Sequence, residues 1–186
     1  MSQPAASSLQ SIPELTKRLT GLHRELGIPA SYAVDRGLEP HFEAAAAGLV
    51  EVALNPEGRS IRLIRPAAAA WAGLQRRAAV TGILLIPISG FRSVERQAEI
   101  IREKTQAGRP LDDILRFVAA PGFSEHHTGR AIDISSPDHI ELDEEFEGTP
   151  AFRWLNAHAE EFGFRLSYPR HNLHGIGYEP WHWCWH

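Results

Sequence analysis

The sequence has 186 residues, of which 43% are hydrophobic and 23% charged, and these proportions are typical of one compact globular domain. The formal net charge of −4 excludes the strongly basic surface expected of a nucleic-acid-binding protein. No apolar run is long enough to span a membrane, and the single cysteine, Cys184, excludes an internal disulfide.

The N-terminal residues lack a basic start followed by an apolar stretch, which is the pattern of a secretory signal. This predicts a cytoplasmic protein, whereas a chain that had lost its leader would be periplasmic. A single cysteine is compatible with a reducing compartment.

The first third of the chain predicts a helix and then a β-hairpin. Ser11, followed by Pro13 and Glu14, is typical of a helix N-terminus. Four leucines then repeat at helical spacing: Leu15, Leu19, Leu22 and Leu26. Two apolar segments that flank a turn sequence, Leu49–Leu54 and Ile61–Ile64, predict the hairpin.

The middle third predicts two longer helices around a buried strand. Pro66 opens the first of these helices, whose apolar face is formed by Ala67, Trp71, Leu74 and Ala78. The apolar run Ile83–Ile88 predicts the strand, and Ser93 caps the next helix, which ends near Ala107. A further short helix is predicted over residues 112–119.

The last third predicts a strand at Arg130–Ile134, a helix that begins at Thr149 and ends at Gly163, and a final strand at Tyr178–Trp185. Helices and strands therefore mix without a steady strand–helix–strand rhythm. This order favours an α+β fold over a doubly wound parallel sheet.

A candidate metal site lies in and before the strand of the last third. Because alternate residues of a strand share a face, Ile132 and Ile134 would face the core and Asp133 would face a cleft. His126 lies just before this strand, and Gly129 permits a bend that could return it to the side of Asp133.

His182 is the candidate third ligand, since on a strand it would point away from Trp181 and Trp183. Two histidines, one carboxylate and an open fourth position match catalytic rather than structural zinc. Glu179 lies three residues before His182, so an ideal strand would turn it to the wrong face. A break at Pro180 would bring it back toward the metal.

The residues alone leave some of these assignments open. His127 could replace its neighbour His126 as a ligand, and His171 or His174 could replace His182. Each histidine taken singly is more often a surface residue or a hydrogen-bonded core residue. Only the combination of the three ligands indicates a metal site.

Three ordered motifs resemble those of the zinc D-alanyl-D-alanine carboxypeptidases of the VanY and VanX type. Their Ser-x-His-x-x-Gly-x-Ala-x-Asp pattern is met at Ser124–Asp133, and their Glu-x-Trp-His pattern is met at Glu179–His182. Their Ser-Gly-(Tyr/Phe)-Arg-Ser segment with a following glutamine is met at Ser89–Gln97. The resemblance covers roughly residues 49–185, and one departure is Cys184, where members commonly have arginine.

The resemblance implies a small antiparallel sheet flanked by helices, the hedgehog-like fold of zinc D-Ala-D-Ala peptidases. It implies the following roles: zinc ligands His126, Asp133 and His182, general base Glu179, carbonyl-stabilising Arg92, and substrate contacts Ser124 and Gln97. We accordingly interpret residues 1–48 as an N-terminal helical extension and residues 49–186 as the catalytic domain.

The function implied is removal of C-terminal D-alanine from peptidoglycan-type peptides. Alternatives that keep the zinc are an L,D-carboxypeptidase for recycled tetrapeptides and a D-Ala-D-Ala dipeptidase. A non-catalytic zinc-stabilised peptidoglycan-binding module would not need Glu179, and a lysostaphin-like endopeptidase would need a His-x-His element that Trp181–Trp183 does not supply. The loop at residues 137–148 would separate these substrates, and its acidic run, residues 141–147, is expected to be solvated.

Overall fold

The computed structural model describes residues 12–55 and 57–186, so the predicted helix cap at Ser11 lies outside the described residues. The α-helices of the described residues are α1 (Ile12–Leu26), α2 (Tyr32–Arg36), α3 (Arg65–Val80), α4 (Val94–Gln106), α5 (Leu111–Ile114) and α6 (Pro150–His158). Their strands are β1 (Leu49–Leu54), β2 (Ser60–Ile64), β3 (Ile86–Ser89), β4 (Ala131–Ser135), β5 (Phe164–Leu166) and β6 (His182–Trp185). Among the helices described, none has the length and apolarity needed to cross a bilayer.

The strands form two antiparallel sheets. Strands β1 and β2 pair as the predicted hairpin, and the other four follow the order β3-β4-β6-β5. Helices surround the sheets without parallel crossovers, which confirms the α+β prediction. In the larger sheet β4 and β6 are central neighbours, and their register sets Asp133 opposite His182.

The main core lies between the larger sheet, α3 and α6. The predicted apolar face of α3 is buried in full: Ala67, Trp71, Leu74 and Ala78. From β4, Ile132 and Ile134 enter the same core, and both are completely buried. Their burial leaves Asp133, between them, on the opposite face of the strand, as the period of two predicts.

A second core joins the N-terminal segment to the middle of the chain. Ile28 and Tyr32 pack with Ile101 of α4 and with Ile114 of α5. The Tyr32 hydroxyl also accepts a hydrogen bond from the Ala120 backbone N–H, with a donor–acceptor distance of 3.2 Å. The N-terminal helices therefore support α4 and α5 directly, and the domain boundary at residue 48 stays a prediction.

Two strands are shorter than predicted. Strand β3 begins at Ile86 rather than Ile83, because residues 83–85 form an irregular connection in which Leu84 is 60% exposed. Strand β6 begins at His182 rather than Tyr178, because a turn precedes it. The sequence analysis missed β5, whose three residues are too few for an alternating pattern. It also extended α5, which ends at Ile114, too far.

Candidate active site

A short 3-10 helix and a glycine bring His126 to the N-terminal end of β4. A 3-10 helix over Glu125–Thr128 carries the histidine, and Gly129 ends that helix with a φ of 66°. A Cβ atom on Gly129 would lie 2.9 Å from the Leu49 side chain, so both the conformation and the space require glycine. The bend predicted at this glycine is therefore present.

The three predicted ligands meet at one point. His126 Nε2 lies 3.2 Å from Asp133 Oδ2, and His182 Nδ1 lies 3.0 Å from Asp133 Oδ1. One donor atom from each residue lies within 4.8 Å of the others, and all three residues are buried. Burial alone would raise the pKa of Asp133, but the adjacent His126 and His182 outweigh it and hold that pKa well below its usual range.

The ring nitrogens that face away from this point are fixed by oxygen acceptors. His126 Nδ1 donates to the Gly90 carbonyl oxygen at 2.7 Å, and His182 Nε2 donates to Glu125 Oε2 at 2.9 Å. A neutral imidazole that donates through one nitrogen keeps a lone pair on the other. Hydrogen bonds to Asp133 and Glu125 outweigh burial and raise the pKa of His182. A bound metal ion would displace the proton between His182 and Asp133, and His126 Nε2 and His182 Nδ1 would then be its nitrogen ligands.

The alternative histidines are engaged elsewhere. His127 Nδ1 donates to the Arg92 carbonyl oxygen, and its Nε2 accepts from the Gly122 backbone N–H. His174 contacts the Arg36 carbonyl oxygen, and His171 is exposed. Each of these three lies outside the group formed by the predicted ligands, and His127 has a structural role beside it.

Glu179 reaches the site through the turn before β6. The His182 N–H donates to the Glu179 carbonyl oxygen at 3.1 Å, and this turn returns the carboxylate to within 3.9 Å of His182 Nδ1. The local break expected at Pro180 is therefore a turn that spans residues 179–182. Burial raises the pKa of Glu179 to about 8, and the charge of a bound divalent ion would lower it again.

Arg92 lies between β3 and α4 and is held by three side chains. Its guanidinium donates to Gln97 Oε1 at 3.1 Å and to Ser89 Oγ at 3.0 Å, and lies 3.8 Å from Asp133 Oδ2. The amide nitrogen of Gln97 donates to the Ala119 carbonyl oxygen at 2.6 Å. Gln97 thus holds Arg92 in place with one end of its amide, and its predicted substrate contact stays a prediction.

One cavity of about 260 Å³ is lined by the predicted site residues: Arg92, Gln97, His126, Asp133, Glu179 and His182. Ser124, which is almost fully buried, and Tyr168 also line it, and the Tyr168 ring lies 5.0 Å from the His182 ring. From the acidic run at residues 141–147 only Leu142 is a lining residue. Two of the run's carboxylates, Glu144 and Glu147, are exposed at the surface, as the sequence predicts.

The sequence analysis missed two residues of the site, Glu125 and Tyr168. Burial opposes ionisation of Glu125, but its hydrogen bond with His182 outweighs this and lowers its pKa to about 2. The Ser167 hydroxyl donates to the same carboxylate at 2.6 Å. Glu125 stands inside the first motif next to His126, so its position was visible in the sequence, whereas its contact with His182 depends on the fold.

A buried group of two histidines and an aspartate, with a carboxylate and an arginine on the same cavity wall, matches the arrangement found in the class of mononuclear metal hydrolases. The chain belongs to the VanY family of D-alanyl-D-alanine carboxypeptidases, whose family model matches residues 60–186. This membership confirms the resemblance drawn from the three motifs.

Known relatives agree with this membership. A D-alanyl-D-alanine carboxypeptidase of Enterococcus faecalis is 34% identical over 112 residues, which cover 55% of this chain and 40% of that protein. The LD-carboxypeptidase LdcB superposes with a TM-score of 0.67 at 30% identity, over 78% of this chain and 70% of that one. The chain spans about two fifths of the length of the curated relatives it matches first.

A metal-bound structure is among the neighbours. The D,D-pentapeptidase VanY of a VanB-type resistance cassette, in complex with Zn(II), superposes with a TM-score of 0.58 at 27% identity, over 80% of this chain and 85% of that one. VanYB has also been solved in complex with D-alanine-D-alanine.

Proposed function

We propose that this chain is a zinc carboxypeptidase that removes C-terminal D-alanine from peptidoglycan-type peptides. The observation that carries the proposal is the meeting of His126, Asp133 and His182 at the wall of a cavity that Glu179 and Arg92 also line. The family membership, the zinc complex of VanY and the D-alanine-D-alanine complex of VanYB support the same activity.

The donor set suits zinc because two neutral imidazoles and one carboxylate leave a fourth position for water or substrate. His126 Nε2, the Asp133 carboxylate and His182 Nδ1 would hold the ion. When bound, zinc supplies Lewis acidity that polarises a carbonyl oxygen and lowers the pKa of a coordinated water.

The protein's own groups would carry the proton and the charge. Glu179 takes the proton of the attacking water and passes it to the nitrogen of the leaving D-alanine. Arg92 stabilises the negative charge that develops on the carbonyl oxygen, because Gln97 and Ser89 hold its guanidinium in place before the reaction begins. Ser124 supplies a hydroxyl at the same wall for substrate contact.

The bond that is cleaved has two candidates within this function. Cleavage between two D-alanines corresponds to VanY, a D,D-pentapeptidase. LdcB is named an LD-carboxypeptidase, and its TM-score of 0.67 is higher than the 0.58 of VanY. We retain removal of D-alanine from a D-Ala-D-Ala terminus as the main proposal and the L,D-bond as the second.

Metal content and product analysis test the proposal together. Protein reconstituted with zinc should hold about one zinc per chain, and mass spectrometry should detect free D-alanine after incubation with a pentapeptide that ends in D-Ala-D-Ala. Release from a tetrapeptide that ends in one D-alanine would assign the L,D-bond instead. Binding of both peptides without any release would favour a binding module, and a chain that holds no zinc would overturn the proposal.

A further inference from the structure

One face of α4 follows the cavity outward from the three predicted ligands, His126, Asp133 and His182, which we call the metal group. Gln97, Ile100 and Lys104 line the cavity, and their spacing of three and four residues places them along one helix face. Arg92 stands just before the helix, so the N-terminal end of α4 lies at the metal group. Lys104 lies seven residues beyond Gln97, about 10 Å farther along the helix axis.

The wall between the two ends is apolar. Ile100 lines it together with Phe117, Val118 and Ile176. The loops that carry these last three residues are joined by a 2.6 Å hydrogen bond from the Gly177 N–H to the Arg116 carbonyl oxygen. A bound ligand that extends from the metal group along α4 therefore contacts an aliphatic and aromatic surface before it reaches a charged side chain.

That charge is Lys104, and it stands apart from the other charged residues of the cavity. Arg92, Asp133 and Glu179 are gathered around the metal group. Lys104 is partly buried and forms no ion pair with any described residue. By contrast, Arg96, on the same helix, is paired with two glutamates.

A partly buried cation that has no ion-pair partner in residues 12–55 and 57–186 suits an anionic group on a ligand, because a charged hydrogen bond in a partly desolvated site is stronger than one in water. The leaving D-alanine cannot supply this group. A chain advances at most about 3.3–3.6 Å per residue, so one residue does not cover about 10 Å. The group that reaches Lys104 must belong to the part of the substrate that the enzyme retains.

We propose that Lys104 binds a carboxylate at the end of a long aliphatic side chain in the retained peptide. The inference rests on the proposed function and adds a substrate class to it. The apolar wall accepts the methylene groups and Lys104 accepts the acid. The enzyme therefore prefers peptides that carry diaminopimelate before the D-alanine terminus over peptides that carry lysine, because both side chains end in an ammonium group and only diaminopimelate adds the carboxylate that Lys104 binds.

Two peptides that differ only in diaminopimelate or lysine at this position test the inference. With the zinc-loaded 186-residue chain, kcat/KM should be about tenfold higher for the diaminopimelate peptide, as expected for one partly buried charged hydrogen bond. The difference should lie mainly in KM, since the contact exists before and during the reaction.

Substitutions at the same residue should remove and then reverse the preference. Lys104→Gln should bring the two kcat/KM values close together, and Lys104→Glu should make the lysine peptide the better substrate. Arg109→Gln is the matched control, because it removes one positive charge just beyond α4 from an exposed residue that does not line the cavity. This control should keep the wild-type preference.

The outcomes separate this inference from the function on which it rests. Equal kcat/KM for both peptides in the wild type, or a preference that survives Lys104→Gln, overturns the role of Lys104 and leaves the carboxypeptidase standing. Release of D-alanine from neither peptide overturns the proposed function and this inference with it.

Discussion

The two ends of the cavity are built in different ways. At the metal end, the ligands come from paired strands and from a 3-10 helix, and His126 and His182 are each fixed by a hydrogen bond on the far side of the ring. At the far end, Lys104 extends from a helix face without an ion pair among the described residues, beside Phe117, which is 40% exposed. In the proposed enzyme, the chemistry would depend on backbone register, and substrate choice would depend on side chains that can change without disturbing that register.

Replacing Glu179, the proposed general base, should have the largest effect. This effect should be limited to the metal end of the cavity. Glu179→Gln keeps the shape of the side chain but cannot accept a proton, so kcat should fall about 10²–10⁴-fold. Zinc content and the peptide preference set by Lys104 should stay as in the wild type. Single-turnover release of D-alanine measures the loss, and a fully active Glu179→Gln enzyme would exclude this residue as the base.

Arg92→Ala should have the next largest effect. If the guanidinium stabilises the oxyanion, its loss should cost about 2.7–4 kcal/mol in the transition state and should appear in kcat. Arg92 could instead grip the terminal carboxylate of the substrate, and then KM would rise while kcat stayed nearly constant. Steady-state kinetics on the single variant distinguish the two roles, because the oxyanion exists only after attack.

Removing the Glu125 carboxylate, which accepts a hydrogen bond from His182, should weaken metal binding more than it slows the reaction of the metal-loaded protein. Glu125→Ala should lower zinc affinity about 10–100-fold, because the acceptor that orients the ring is lost. Glu125→Gln retains an acceptor oxygen and should lose less. Competition with a chelator measures both affinities, and Glu160→Gln, at an exposed carboxylate paired with Arg165, serves as the control. Unchanged affinity in Glu125→Ala would refute the orienting role.

The smallest expected effect concerns the helix that supports the far end. Ser93 caps α4 by accepting the Arg96 N–H, so Ser93→Ala should lower the free energy of unfolding by about 1 kcal/mol. Ser31 precedes α2 but makes no capping hydrogen bond through its side chain, so Ser31→Ala should change stability much less. Urea unfolding of both variants checks the difference, and equal losses would contradict the capping assignment.

The sequence predicted the hairpin and the buried face of α3 because both depend on local periodicity. It could not predict that strand β6 begins at His182, since that start depends on the hydrogen bond between His182 and Glu179. The sequence could not place Lys104 at the cavity for a different reason. A lysine on an amphipathic helix is expected to be solvent-exposed, and only the fold brings the loop at residues 116–119 to the same cavity. The cytoplasmic location also stays a prediction.

The segments that carry Arg92 and His126 are distant in sequence but joined in space. The Arg92 N–H donates to the His126 carbonyl oxygen, the His126 ring donates to the Gly90 carbonyl oxygen, and His127 donates to the Arg92 carbonyl oxygen. Residues 93–125, which connect the two segments, therefore begin and end at the same place in the structure. Side-chain changes at Phe117 and Val118 can therefore reshape the cavity wall during evolution while Arg92 and His126 keep their spacing.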